Sequence, residues 1–183
     1  VTVGPKLSQK QRKAQLKNKQ GIPKAVVAQI AKLVRDGKLD LPNLDLDGDA
    51  DYEAVWALVD SGAARSCARR RNHFGHTATH LTPSSIRMAT ASGEELKSRG
   101  CFRLEAITAE GNAVIQTFED TDVDMPIMSV GELSSNGEHG SHVLFGKNDG
   151  YVIDLKTSAT SKFHRRRGVY FMKIYVLRNK VVS

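Results

Sequence analysis

Long apolar runs are absent from this sequence of 183 residues. No stretch of about 18 consecutive apolar residues occurs, which excludes a membrane-spanning helix. Cysteine is scarce. Cys67 and Cys101 cannot build the cross-linked framework of a small secreted domain, and they point instead to a reduced, cytoplasmic setting. The opening VTVGPKLSQKQRK is basic but has no apolar centre, so it is not read as a secretion signal, and its first residue, Val1, suggests release from a longer chain. Aromatic residues seldom lie among basic ones. Phe163, Tyr170, Phe171 and Tyr175 do so near the C-terminus, and their alternation suits a strand better than a base-stacking platform. There is no internal repeat.

Hydrophobic residues make up 40% of the chain, enough for one domain with an extension. The net charge of +7 is unevenly placed. Basic residues gather at the start (Lys6, Lys10, Arg12, Lys13, Lys17, Lys19) and at the end (Arg165, Arg166, Arg167, Lys173, Arg178, Lys180), with an acidic run from Asp40 to Glu53 between them. The basic ends permit weak contact with nucleic acid, although residues 1–20 read first as a solvated tail. Residues 24–36 place Val26, Val27, Ile30, Leu33 and Val34 on one face at helical spacing. Pro23 suits the start and Gly37 the stop. This predicts a short helix whose apolar face buries Val26, Ile30 and Leu33 against the main domain or a partner.

From Tyr52 the texture changes to short apolar runs separated by turn residues: AVWALVD, SIRMAT, CFRLEAIT, AVIQTFED, HVLFG, YVIDLK and VYFMKIYVL. AEGN and KNDG read as hairpin turns, and only GELSSNG offers a short helix. The expectation is an all-β barrel with one short helix over residues 52–183. Residues 1–51 form a basic and acidic, partly helical N-terminal extension.

One stretch carries chemistry. In WALVDSGAARSC, residues 56–67, an apolar strand runs into Asp60 and then into the small residues Ser61, Gly62, Ala63 and Ala64. The strand would fix the carboxylate at a crowded centre, Ser61 would hydrogen-bond a neighbouring loop, and Gly62 would admit a second backbone. Asp-Ser-Gly is also an ordinary turn after a strand.

The run Leu58-Val59-Asp60-Ser61-Gly62-Ala63 resembles the signature of the retropepsins, the aspartic proteases of retroviruses and retrotransposons. Residues 88–100, MATASGEELKSRG, are similar in position to the family's flap hairpin, with the tip at Ala91, Ser92 and Gly93. Residues 113–137 resemble the strands and short helix that come next in that family, and MPIMSVGELSSNG with HVLFGKNDGYVIDL is similar to copia-type retrotransposon polyproteins. The likeness covers about residues 52–180.

The resemblance implies a retropepsin-like barrel with Asp60 as the catalytic carboxylate. It implies Ser61, Gly62 and Ala63 as the active-site loop, and Ala91, Ser92 and Gly93 as residues over a peptide substrate. Because the chain has one signature, the required pair of carboxylates implies a homodimer, active at mildly acidic pH without metal or cofactor. Ser129 and Val130 stand where viral members have glycine and arginine, and Ala64 and Arg65 replace an acidic pair. The viral ion pair between those regions is therefore not expected. The flap tip also has one glycine instead of several.

Three other patterns are weaker. His73, His76 and His80, with Cys67 before them, could suggest zinc, but they read first as a solvated loop. Asn43, Asp45, Asp47 and Gly48 fall on calcium-loop offsets, but Ala54 takes the place of the closing glutamate, so an acidic linker is expected. Arg165, Arg166 and Arg167 suit a solvated turn, a phosphate contact or a cleavable site. The functional expectation is an aspartic endopeptidase that processes a retrotransposon polyprotein. The alternative is a protein that keeps the fold, has lost catalysis, and serves as a binding or assembly subunit.

Overall fold

The computed structural model describes residues 24–75, 81–136 and 139–178, with side chains from Ala28 onward in the first helix. That helix, α1, spans Lys24–Arg35. Lys32 and Arg35 lie in its last turn, where cations suit the negative end of the helix dipole. The chain then turns at Gly37, with φ at +63°. Gly37 N bonds to Val34 O at 3.1 Å and Lys38 N to Leu33 O at 2.9 Å, a Schellman-type stop. Ile30, Leu33 and Val34 are only half-buried and stand outside the core, so the burial expected of Ile30 and Leu33 is partial. The side chain of Val26 lies outside the described residues.

The remaining elements are mostly strands. In chain order they are β1 (Tyr52–Asp60), β2 (Cys67–Ala68), the short helix α2 (Arg70–Phe74), β3 (Met88–Ala89), β4 (Glu95–Leu96), β5 (Cys101–Thr108) and β6 (Ala113–Asp120). After these come β7 (Ile127–Ser129), helix α3 (Val130–Ser135), β8 (Ser141–Phe145), β9 (Asp149–Asp154), β10 (Thr160–Arg166) and β11 (Val169–Leu177). Among the described residues, nine strands make one sheet in the order β1-β7-β2-β6-β5-β11-β10-β9-β8, while β3 and β4 pair separately. A further β1–β11 pairing closes the first six into a barrel, so those strands have no shared open edge. The expected all-β barrel is therefore present.

Alternation explains the closure. In β1, Val55, Ala57 and Val59 are buried while Trp56, Leu58 and Asp60 face the other way. β11 runs antiparallel to it, from Tyr52 opposite Leu177 to Val59 opposite Tyr170. The barrel interior is filled by Phe74, Phe102 and Phe118, with Val59, Met128, Met172 and Ile174 around them. Phe102 and Phe118 stack at 5.7 Å between centroids, and Phe74 sits 5.5 Å from Phe118. Removing one such ring costs about 3–5 kcal/mol. On β9, a β-carbon at Gly150 would fall 1.9 Å from the Phe163 ring, so only glycine lets that ring lie across the strand.

The acidic segment before β1 is tied to the barrel. Leu44 N bonds to Ala109 O, Arg178 N to Asp51 O, and Asp47 pairs with Lys173. These bonds lie on the side where Tyr151, Ile153 and Tyr175 are buried outside the principal cluster. Gly48 adopts φ +83°, and Asp45 and Asp49 accept the amides of Asp47 and Asp51. The segment thus behaves as a chain of turns, with Asp47 spent on Lys173.

The position of β7 shapes the end of β1. β7 lies between β1 and β2, which are neighbours in sequence. It pairs in parallel with β1, placing Leu58, Val59 and Asp60 beside Ile127, Met128 and Ser129. The residues 61–66 that join β1 to β2 must therefore arch over the end of β7, where the chain enters α3.

Candidate active site

Asp60 is the last residue of β1, and the parity of that strand turns its side chain away from the barrel core. The backbone reverses immediately. Gly62 N donates to Asp60 Oδ1 at 2.7 Å, and a β-carbon at residue 62 would sit 3.3 Å from the same oxygen. The closeness expected of Gly62 is thus to the Asp60 carboxylate, and no second backbone lies against it among the described residues. Asp60 Oδ2 has no protein partner among them. Ser61 is exposed and makes no hydrogen bond among the described residues, in contrast to the expected contact with a neighbouring loop.

Other serines take up that task. Ser129 Oγ donates to Ala63 O at 2.7 Å, and buried Ser66 Oγ accepts from Ser129 N at 2.9 Å and from Gln116 Nε2 at 3.0 Å. Glu132, in the first turn of α3, completes the network. Its Oε2 accepts from Ser66 N at 2.9 Å and Gln116 Nε2 at 3.0 Å, while its Oε1 pairs with Arg65 at 3.1 Å. The viral-type ion pair is not expected between these two regions, and a different pair joins them. A pair of opposite polarity is present, with the cation on the loop after Ala63 and the carboxylate on the helix.

Ser66, Gln116 and Glu132 did not stand out in the sequence. A faint signal existed in Ser129-Val130-Gly131-Glu132, which has the spacing of a helix capping box. Only half of that box forms, as Ser129 Oγ accepts from Glu132 N at 3.4 Å. The glutamate reaches Ser66 instead of returning to Ser129 N. The helix cap and the Asp60 loop are thereby joined.

Over the loop stands the predicted hairpin. β3 and β4 pair Met88 with Leu96 and Ala89 with Glu95. The tip closes through Thr90 N to Glu94 O at 2.8 Å and Gly93 N to Thr90 O at 2.9 Å, with Gly93 at φ +86°. Thr90 Oγ1 bonds to Ser92 Oγ at 2.8 Å. Ala91, Ser92 and Gly93 are all exposed at the tip, and of the three only Ala91 lines the space beneath. That space is a cleft of about 990 Å³. Asp60, Gly62 and Ala63 form its floor, Met88 to Ala91 and Leu96 its roof, and Val123, Met125 and Ile127 a side wall. A largely apolar cleft, with charged residues at Arg65, Arg87, Asp122 and Asp124 and with Asp60 on its floor, suits an extended chain whose backbone carbonyl meets that carboxylate.

Two other carboxylates of the cleft are already engaged. Arg69 pairs with Asp122 at 3.2 Å and Asp124 at 3.8 Å, and Arg99 pairs with Asp122 at 3.4 Å. Beside them, Asp120 accepts from Arg70 N at 3.0 Å and from the Arg99 guanidinium at 3.2 and 3.3 Å. Burial alone would raise the Asp120 pKa, but the Arg99 and Arg70 bonds outweigh it and hold the carboxyl below its ordinary range.

Cys67 lies under the roof, with its Sγ 3.6 Å from Met88 Sδ. Burial, then Glu119 and Glu132, push its thiol up to about 11, so it is protonated and inert at neutral pH. His73 uses both ring nitrogens. Nδ1 accepts from Arg69 N at 3.0 Å, which leaves the proton on Nε2 to bond Asp124 O at 3.2 Å. Burial lowers its pKa. His73 therefore acts as a clamp between α2 and the loop before β7. His76 and His80 lie outside the described residues.

No protein-family model matches the chain, and neither a curated protein nor a solved structure matches it.

Proposed function

We propose that this chain is an aspartic endopeptidase that acts as a two-fold homodimer, each copy contributing one Asp60, and that its substrate is the polyprotein of a retrotransposon of the kind its sequence resembles. The observation that carries the reading is the placement of Asp60. It sits on the floor of an apolar cleft, one oxygen held by the Gly62 amide and the other free of protein partners among the described residues, beneath a hairpin that forms a roof. Of the cleft's other carboxylates, Asp122 is paired with Arg69 and Arg99, and Asp124 lies exposed 3.8 Å from Arg69, which disfavours either as its partner. A second copy supplies what is missing. The exposed Ser61-Gly62 turn allows two such loops to meet about a two-fold axis.

Two carboxylates about 3 Å apart share one proton. The ionised one takes a proton from water, and the protonated one hydrogen-bonds the scissile carbonyl. Water oxygen bonds to the carbonyl carbon, the C–N bond breaks, and the departing nitrogen receives a proton from the pair. The hydrogen bond from Gly62 N steadies the carboxylate through these exchanges.

The test is Asp60→Asn with a peptide library at pH 4 to 7. The wild-type chain is expected to cleave peptides, to be inhibited by pepstatin-like hydroxyl-bearing mimics, and to sediment as a dimer. The variant is expected to keep its fold and lose turnover by at least about 10³-fold, since asparagine cannot take a proton from water. A wild-type chain that stays monomeric and inert over this range would establish the alternative, a binding or assembly subunit.

A further inference from the structure

The β10–β11 hairpin carries a feature that peptide hydrolysis does not use. Its turn is two residues long, Arg167-Gly168, between the paired Arg166 and Val169. Both turn residues have positive φ, +51° and +87°, as a type I′ turn requires. Asparagine or glycine normally fills the first of these positions, and an arginine there is strained. The chain nevertheless places a third consecutive arginine at that point.

The tip also gathers cations that have no carboxylate partner among the described residues. Arg65, Arg69, Arg99 and Arg103 each meet a carboxylate. On the strands beside the tip, Lys162 and His164 share Asp149, and Lys173 has Asp47. Arg165, Arg166, Arg167 and Lys147 have no carboxylate within ion-pair distance among the described residues, and all four are exposed. Arg165 Nη1 bonds to the backbone oxygen of Lys147 at 3.2 Å, which draws the two cations together.

Aromatic rings flank them on the two faces of the hairpin, Trp56 with Arg166 on one and Tyr170 and Phe145 with Arg165 on the other, because successive strand residues point to opposite sides. The Arg166 guanidinium stands 4.8 Å from the centre of the Trp56 ring, and Arg165 stands 5.8 Å from Tyr170. Phe145, 4.9 Å from Tyr170, is 44% exposed. None of these residues lines the cleft over Asp60.

We propose that this hairpin tip, with the exposed Phe145 ring beside it, binds single-stranded nucleic acid. Unpaired guanidiniums suit phosphate oxygens, and the exposed Phe145 ring suits an unstacked base. A carboxylate-rich peptide would satisfy the cations but would leave the ring without a role. A duplex would satisfy the cations and keep its bases out of reach of Phe145.

The experiment is fluorescence anisotropy on the full chain, with labelled oligouridylate and oligothymidylate of about 20 nucleotides, at several salt concentrations. Binding to both is expected, weakening as salt rises. The double variant R166Q/R167N is expected to bind roughly fivefold or more weakly and to lower the slope of log Kd against log salt by about 1.4, or 0.7 for each cation. Arg167→Asn alone also relieves the turn, so its melting temperature should not fall even as binding weakens, which separates lost contact from misfolding. Phe145→Leu is expected to weaken binding roughly fivefold with the slope unchanged. The lysines of residues 1–23 remain in every variant, so the differences report the hairpin. Unchanged binding by R166Q/R167N would overturn the proposal. Equal competition by poly-glutamate would assign the surface to an acidic protein, and tighter binding of a duplex of equal length would reduce it to phosphate contact alone. Either result overturns the proposal too.

Discussion

At the scale of single residues, Glu132 connects more of the proposed site than any residue that stood out in the sequence. Its carboxylate joins Ser66 N, Gln116 and Arg65, and so fixes the far end of the loop that begins at Asp60. The bond to Ser66 N is charge-assisted and part-buried, whereas the pair with half-exposed Arg65 is worth about 0–1 kcal/mol at most. Glu132→Gln is therefore expected to destabilise the fold by about 1–3 kcal/mol in urea unfolding and to lower kcat more than it raises KM. The reversed pair R65E/E132R should not restore either quantity, because Ser66 N would still lack its acceptor. Full rescue by that swap would mean that the ion pair alone matters. His73 gives a pH dependence of definite sign. Its folded pKa lies below the ordinary 6.5, so the unfolded chain takes up the proton first and stability falls as pH drops below about 6.5. Asp120 also has a lowered folded pKa. Its contribution is intact above the ordinary 3.8 and is lost only as pH falls through the lower folded value. Thermal unfolding of His73→Gln is accordingly expected to show a flatter profile from pH 7 to 5 than the wild-type chain, with the acid limb below pH 4 retained.

At the scale of elements, the flap hairpin is the piece whose mobility the proposed chemistry needs. Gly93 has φ +86° and nothing within 4 Å of a built β-carbon, so Gly93→Ala meets no clash and acts through backbone strain alone, about 1 kcal/mol. The expected result is a small change in melting temperature together with a severalfold change in kcat/KM, measured on one peptide. An equal loss in both would mean that the hairpin is part of the folding core. The hairpin, Asp60 at a strand end, β5, β6, β11 and the helix at residues 24–36 were legible because each arises from local alternation, helical spacing or turn residues. The structure ends that helix at Arg35, one residue short. Less was legible where pairing is long-range. β2 has two residues and β7 three, too short for any periodicity, and they exist because the barrel seats them between β1 and β6. β10 was hidden by Arg165 and Arg166, which read as turn residues although they pair with Tyr170 and Val169. Helix α2 carries its single buried anchor, Phe74, in five residues, below the length at which helical spacing declares itself. The same reason concealed Glu132 and Ser66. They stand 66 residues apart, and only the arch over β7 brings them together.

At the scale of the whole molecule, the proposed activity makes a demand that one chain cannot meet. Each copy holds a single Asp60 in its cleft, and the cleft's other carboxylates lie beside arginine, so a proton shared between two carboxylates requires two copies. A mixing experiment reads this directly. If wild-type chain and Asp60→Asn are combined and allowed to exchange, a dimer containing one variant copy has one carboxylate and no shared proton, and it should be inert. Activity should then scale with the square of the wild-type fraction, about a quarter of the starting value for an equal mixture of chains that associate at random. Specific activity of the wild-type chain alone should fall on dilution, as the dimer dissociates by mass action. A linear dependence on wild-type fraction, with no loss on dilution, would mean that each chain works by itself, and the carboxylate pair would then have to be sought within one copy. The two-fold arrangement also bears on the ion pair of reversed sign. Because Glu132 and Arg65 meet within one chain, the Asp60 loop is braced before the copies associate, and dimerisation has less disorder to remove. Weakening that brace with Glu132→Gln should therefore shift the dilution midpoint of activity to higher protein concentration as well as lower its plateau. A lowered plateau with an unmoved midpoint would confine Glu132 to positioning Asp60 after the dimer has formed.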